Sequence, residues 1–190
     1  DEDNVFNGGS EFRTFDIRTF KYHSEKIKTI TRDSSKNVVY LTNDEKRSFL
    51  KYFSMPDING KYLIKIQEGT DSEREADYAS VNFFLPVESF ITEGNVYVFG
   101  AFTDWECKNE NKMRYNVKRS GYEAILYLKQ GYYNYEYVVR KDKNTAADET
   151  YIEGMHYETE NDYFIYVYHR AIGTRYDQLI GIRKLNSVKK

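Results

Sequence analysis

The 190-residue chain has a single cysteine, Cys107, a single tryptophan, Trp105, and two prolines. One thiol excludes an intrachain disulfide and any metal site built on several thiolates. Two prolines and 11 glycines are too few for a low-complexity segment. An excess of one charge is also missing: 28 Lys and Arg against 30 Asp and Glu leave a formal net charge of −2. That balance argues against a nucleic-acid surface and a polybasic membrane-binding face. No apolar run reaches the roughly 20 residues of a spanning helix, so membrane insertion is not expected. Aromatics are abundant instead: 19 Tyr and 12 Phe, with the one Trp, make up 17% of the chain. At 22.6 kDa the chain fits one large β domain or two small ones.

Short runs rich in Val, Ile, Thr, Tyr and Phe alternate with Gly, Asn and Asp, the pattern of strands and turns. They predict strands over 12–22, 26–32, 37–42, 47–54, 61–67, 78–85, 95–102, 122–129, 132–140, 163–170 and 176–185, an all-β chain. Residues 44–53 could alternatively hold a helical turn. The charged stretch 68–77, EGTDSEREAD, carries no large apolar residue and suits a linker. It divides the chain into a β-rich segment, 1–76, read as the end of a preceding sandwich domain, and a second unit, 77–190. The second has the strand number and size of an immunoglobulin-like β-sandwich. The polar gap 141–162 reads as a long loop. The opening, DEDNVFNGGSEF, shows neither an initiator Met nor a secretion leader, and a mature chain or an excised fragment would look the same.

The run 121–140, GYEAILYLKQGYYNYEYVVR, predicts a hairpin with a positive φ at Gly131. In its second strand Tyr133, Tyr135, Tyr137 and Val139 share one face. That face should turn to the core, with a partner for each hydroxyl. The strands VYVFGAF (96–102) and YFIYVYHR (163–170) behave differently, because both of their faces are apolar or aromatic. A strand wet on one side should alternate, whereas one covered on both sides need not. Burying one such side chain is worth about 1.5–3 kcal/mol. The outer surface of the second unit is therefore expected to meet another domain or a protein partner.

Catalytic and metal-binding patterns are not found. His23, His156 and His169 are unpaired at helical spacing and lie in no HExxH frame. Asp71, Glu73, Glu75 and Asp77 alternate like the start of a Ca²⁺ loop but lack its glycine and terminal glutamate. With Glu158, Glu160 and Asp162 they read as solvated acids. Glycine patterns of nucleophile elbows, P-loops and dinucleotide sites are absent from the sequence. Cys107 has only Lys108 as a basic neighbour in sequence and reads as an incidental thiol. No cofactor and no enzymatic activity are expected. The segment 170–185, RAIGTRYDQLIGIRKL, sets Arg175, Tyr176 and Arg183, types enriched at interface hot spots, close together. It reads either as a partner-contact loop or as a loop clamped by Arg175 with Asp177 or Asp162.

VYVFGAFTDW (96–105), followed by LYLKQGYYNYEYVV (126–139), resembles the early-set immunoglobulin-like modules that bind glycogen, as in the β subunit of AMP-activated kinase and in starch-branching enzymes. The resemblance implies a fold more than a function. Of the three sugar contacts in that family it retains Trp105; the family's lysine is replaced by Glu136, and a second tryptophan is lacking. Carbohydrate binding through Trp105 is the alternative reading.

A resemblance over nearly the whole chain rests on EFRTFDIRTFKY, PDINGKY at 56–62, GAFTDW, LKQGYYNYEYVV, YETENDY at 157–163 and RYDQLIGIRKLNS at 175–187. In this order they are similar to the C-terminal portion of the Bacteroidetes type IX secretion system plug protein family. The resemblance implies a periplasmic or outer-membrane-associated protein that occludes or gates the outer-membrane β-barrel translocon. The family carries no residue-level contact map onto this chain. The partner-contact residues expected from the two-sided strands and the Arg/Tyr segment are Tyr97, Phe99, Trp105, Arg175, Tyr176 and Arg183.

Overall fold

The structure, a computed structural model, describes residues 5–33, 36–143 and 146–188. Its strands are β1 (Arg13–Asp16), β2 (Ile27–Asp33), β3 (Lys36–Leu41), β4 (Tyr62–Ile64), β5 (Tyr78–Pro86), β6 (Asn95–Phe99), β7 (Arg114–Asn116), β8 (Gly121–Lys129), β9 (Gly131–Arg140), β10 (Asp162–His169) and β11 (Gln178–Asn186). Two one-turn helices, α1 (Ser72–Glu75) and α2 (Thr150–Glu153), fall in the polar segments. The chain is all-β, as its composition predicts. Residues 47–54 form only a turn, in which Leu50 N donates to Arg47 O at 2.9 Å. Phe49 and Phe53 there are largely exposed, so the segment has no apolar face to bury as a strand.

Two sheets face each other. One runs β2-β3-β5-β8-β7, with only β3 and β5 parallel. In the other, β9 is flanked by β1 and β4 and also pairs with β6. Their inner faces form one core. Phe15 of β1 stacks on Tyr133 of β9 at 5.0 Å and meets Phe83 of β5 edge-on at 5.6 Å, while Phe83 meets Tyr135 at 5.3 Å. Edge-on and offset pairs of this kind add about 0.5–1.5 kcal/mol each beyond their burial.

This core corrects the expected division into 1–76 and 77–190. β1 and β4 lie in the sheet of β9, and β2 and β3 lie in the sheet of β5 and β8. Phe15, Ile17, Ile27, Val39 and Leu41 are buried with the strands of the second half. The linker-like stretch holds only α1, whose N-cap Asp71 accepts from Glu73 N and Arg74 N. A polar segment can end a strand without ending a domain, because the strands on either side still share apolar faces.

The expected hairpin over 121–140 is corrected as well. β8 and β9 belong to different sheets, joined by Gln130. Its side chain accepts from Asp77 N at 3.0 Å and donates to Arg18 O at 3.2 Å. Gly131 does not have a positive φ; glycine is required there because a Cβ would lie 2.5 Å from Leu63 O. The face reading of β9 holds. Tyr133, Tyr135 and Tyr137 are buried, with hydroxyls donating to Lys129 O (2.5 Å) and, for the latter two, to Asp44 Oδ2 (2.7 Å each).

A buried charge network crosses one end of the core. Arg13 donates through Nε to both Glu153 oxygens (2.9 and 3.1 Å), through Nη1 to Asp44 Oδ1 (3.1 Å) and through Nη2 to Glu45 O (2.7 Å). Arg47 also pairs with Glu153, at 2.6 Å, and Tyr137 N donates to Glu153 Oε1 at 2.8 Å. Burial works against the Arg13 charge, but Glu153 and Asp44 outweigh it and drive its pKa up. Burial likewise pushes Glu153 up, and Arg13 and Arg47 overcome it, leaving its carboxyl below the usual range. Two cations and two carboxylates thus join β1, the 44–47 segment, α2 and β9.

Candidate docking surface

The chain leaves α2 at Gly154, passes along the N-terminal segment and enters β10. His156 N and Thr159 Oγ1 donate to Gly9 O (2.9 and 3.1 Å), and Asn161 Nδ2 donates to Gly8 O (2.8 Å). Phe6 packs against Tyr163 with ring centroids 5.7 Å apart. This root holds a two-stranded antiparallel ribbon, β10–β11, which joins neither sheet of the sandwich.

Pairing fixes what each face of the ribbon carries. Phe164 lies opposite Lys184, and Tyr166 opposite Ile182. On the other face Tyr163 lies opposite Leu185, and Ile165 opposite Arg183. Phe164 and Tyr166 stack at 6.3 Å, and Lys184 Nζ lies 5.5 Å from the Phe164 ring centre. Phe164, Ile165, Tyr166, Val167, Tyr168, Leu179, Ile180 and Ile182 are all exposed. A two-stranded hairpin alone is marginally stable in water, and it normally needs a third strand or a packing surface. The ribbon supplies apolar groups on both faces, and the described residues of the sandwich leave them exposed.

The two strands expected to be covered on both sides have different outcomes. β6 is buried within the chain: Val96 and Val98 face the core, and Tyr97 is only 5% exposed beneath the Arg140 guanidinium, 5.3 Å from its ring centre. Tyr97 is therefore not available as a partner-contact residue. Phe99 is half-buried beside Trp105, with centroids 5.5 Å apart. Trp105 is 44% exposed, at a strand-to-loop corner where Asp104 and Trp105 both have positive φ. It meets Phe12 edge-on at 5.9 Å. Arg175, Tyr176 and Arg183 are exposed on the ribbon, far in sequence from Tyr97, Phe99 and Trp105. The clamp in the ribbon loop is Arg170 with Asp177 (2.8 and 2.7 Å), and Asp162 pairs with Lys184 at 2.6 Å. Arg175 has neither of the expected partners.

The Trp105 corner gives a direct check. Gly60 has φ 72°, and a Cβ there would fall 2.4 Å from Trp105 Cη2 and 2.7 Å from Phe12 Cζ. Gly60→Ala is expected to cost about 1–3 kcal/mol through overpacking and backbone strain. Because Trp105 is the only tryptophan, the displacement should also red-shift the intrinsic fluorescence. An unchanged urea midpoint and spectrum would contradict this packing.

A second concave surface lies on the outer face of the five-stranded sheet. The groove has a volume of about 600 Å³ and is lined by Tyr40, Phe84 and Ile125 together with Lys28, Lys112 and Arg114. Arg119 lies 3.8 Å from the Phe84 ring centre and pairs with Glu123 at 3.0 Å. Cys107 is half-buried; burial pushes its thiol pKa up, against the nearby Arg140.

The sequence matches no protein-family model and no curated protein. It is similar to a solved structure described as a hypothetical protein from Parabacteroides merdae, at 33% identity and a TM-score of 0.87. The match covers 95% of this chain and 45% of that one, so the chain spans less than half the length of its structural relative. Among the described residues no helix is long and apolar enough to cross a membrane, which leaves open crossing by strands.

Proposed function

We propose that this chain is a non-enzymatic protein-docking module whose contact surface is the β10–β11 ribbon. The observation that carries the reading is the ribbon itself: apolar and aromatic on both faces, outside both sheets, and, among the described residues, seated on the sandwich at its root. A surface of this kind is costly to leave in water. Exposed ion pairs at Arg170–Asp177 and Asp162–Lys184 link its two strands near the loop and the root.

The partner is proposed from the ordered motif resemblance: an outer-membrane β-barrel translocon of type IX secretion, which the natural polypeptide would occlude or gate from the periplasmic side. The triple variant Ile165→Thr, Tyr166→Thr, Ile182→Thr, which places β-branched residues at the opposed 166 and 182 positions, tests both parts. Co-purification with the barrel should fall at least tenfold, with stability within about 0.5 kcal/mol of wild type, as expected for exposed sites. Undiminished co-purification would overturn the ribbon as the contact.

The carbohydrate-binding alternative rests on Trp105, which is 44% exposed beside Phe12 and Phe99, and the groove over Tyr40, Phe84 and Ile125 is a second concave surface for it. Titration with maltoheptaose decides it. No chemical-shift change at Trp105 or in the groove residues at millimolar sugar removes that reading.

A further inference from the structure

At the root of the ribbon, residues 7–12, 57–59 and 159–161 enclose a small polar cavity of about 100 Å³. Five carboxylate residues line it: Glu11, Asp57, Glu136, Glu149 and Glu160. Among the described residues no lysine, arginine or histidine does. Some of these acids are occupied. Asp57 accepts from Phe12 N and Asn59 N (3.0 and 2.7 Å), Glu11 from the Tyr52 hydroxyl, and Glu160 from Asn186 Nδ2 (2.8 Å). Glu136 is not. It sits on β9, on the face opposite the core tyrosines, is only 5% exposed, and its carboxyl receives no hydrogen bond from the described residues. The half-buried Glu149 carboxyl receives none either. The nearby cations, Arg13 and Arg47, are committed to Glu153.

A carboxyl that loses most of its water resists ionising, and so do acids crowded together. Burial first, and then Glu149 and Glu153, raise the Glu136 carboxyl to about 8, against Arg47 and Arg13. This pocket has the composition of a cation receptor. Ca²⁺ would need six to eight oxygens converging at about 2.3–2.6 Å. Among the described residues no three His, Cys, Asp or Glu converge closely enough to hold a metal. An alkylammonium or guanidinium head needs less: one or two carboxylates and neighbouring amide and carbonyl oxygens.

We propose that the cavity at the ribbon root receives one organic cation, the ammonium or guanidinium head of a basic side chain, with Glu136 and Glu149 as its counter-charges. Asn161 and Thr159, which line the cavity, also tether the ribbon to Gly8 and Gly9. A partner lying along the ribbon would present such a side chain at this point. The source of the cation rests on the docking reading; the receptor itself does not.

Free probes separate the two. In the wild-type chain, the Glu136 carboxyl ¹³C shift is titrated with pH, alone and with N-acetyl-lysine methylamide, N-acetyl-arginine methylamide or CaCl₂. One of the organic cations at tens of millimolar should lower the midpoint by a pH unit or more, a tenfold weaker hold on the proton. The cation-induced shifts in Asn161 and Thr159 amides should vanish in Glu136→Gln. The ribbon triple variant should keep the full response. No movement with either organic cation, or movement with CaCl₂ alone, overturns the proposal. Intact binding of free cations with no loss of partner binding in the triple variant would leave the receptor standing and sink the docking reading.

Discussion

Replacing Arg13 with methionine is expected to destabilise the protein by about 3–5 kcal/mol, the range for removing one partner of a buried charge set. The whole stability of a domain is about 5–15 kcal/mol. Arg13 donates to Glu153, Asp44 and Glu45 O and lies 5.1 Å from the centre of the Tyr137 ring. Without it Asp44 keeps only tyrosine donors, and Glu153 keeps Arg47 and the Tyr137 amide. The pH dependence carries a sign. Glu153 has a folded pKa below its unfolded value, so its contribution is present above the unfolded pKa and is lost as pH falls through the folded one. In Arg13→Met burial regains ground, the Glu153 carboxyl rises, and the deficit against wild type should be larger at pH 7 than at pH 4. Urea unfolding at the two pH values measures both quantities. A loss under about 1 kcal/mol at pH 7 would mean that the network does not hold the core together.

Glu136→Gln is expected to act in the opposite direction. The folded carboxyl, raised to about 8, binds a proton more tightly than the unfolded one. Stability is therefore full below the unfolded pKa of about 4.3 and declines as pH rises toward 8, by about 1.4 kcal/mol per unit at most. Glutamine keeps the shape of the neutral acid and removes that decline. The variant should match wild type near pH 4 and exceed it by about 2–4 kcal/mol at pH 8 in urea titrations. Parallel wild-type and variant curves across that interval would show that Glu136 ionises freely in the fold. The price in nature is consistent with a functional acid, since a glutamine there would be more stable but would carry no charge for a ligand.

The legible part of this fold was the part written locally. Alternation in Tyr133, Tyr135, Tyr137 and Val139 identified the core face of β9, and its hydroxyls do find partners. Apolar residues on both sides of 96–102 and 163–170 marked strands with two faces to cover. Sequence alone could not distinguish β6, sealed by Arg140 and its own neighbours, from β10, left open, because coverage depends on residues distant in the chain. The same limit hid the sandwich that unites both halves. A charged stretch at 68–77 looks like a boundary, whereas the pairing of β1 with β9 has no local signature. Arg13, Asp44, Arg47 and Glu153 are also scattered charges until the sheets bring them together. Arg175 was a reasonable candidate clamp by spacing, but Arg170 occupies the position across the ribbon loop from Asp177. Glu136 did have a signal: a lone acid in a run of tyrosines and valines, where the resembling modules carry lysine.

Amide hydrogen exchange on the ribbon tests its proposed docking role most directly. In the free protein, amides of 163–168 and 179–185 should exchange quickly, as expected for a solvent-exposed two-stranded element. On adding the purified translocon barrel they should slow at least tenfold, while amides of β5 and β8 in the sandwich core stay unchanged. Formation of the complex with no protection anywhere in the ribbon would contradict the account.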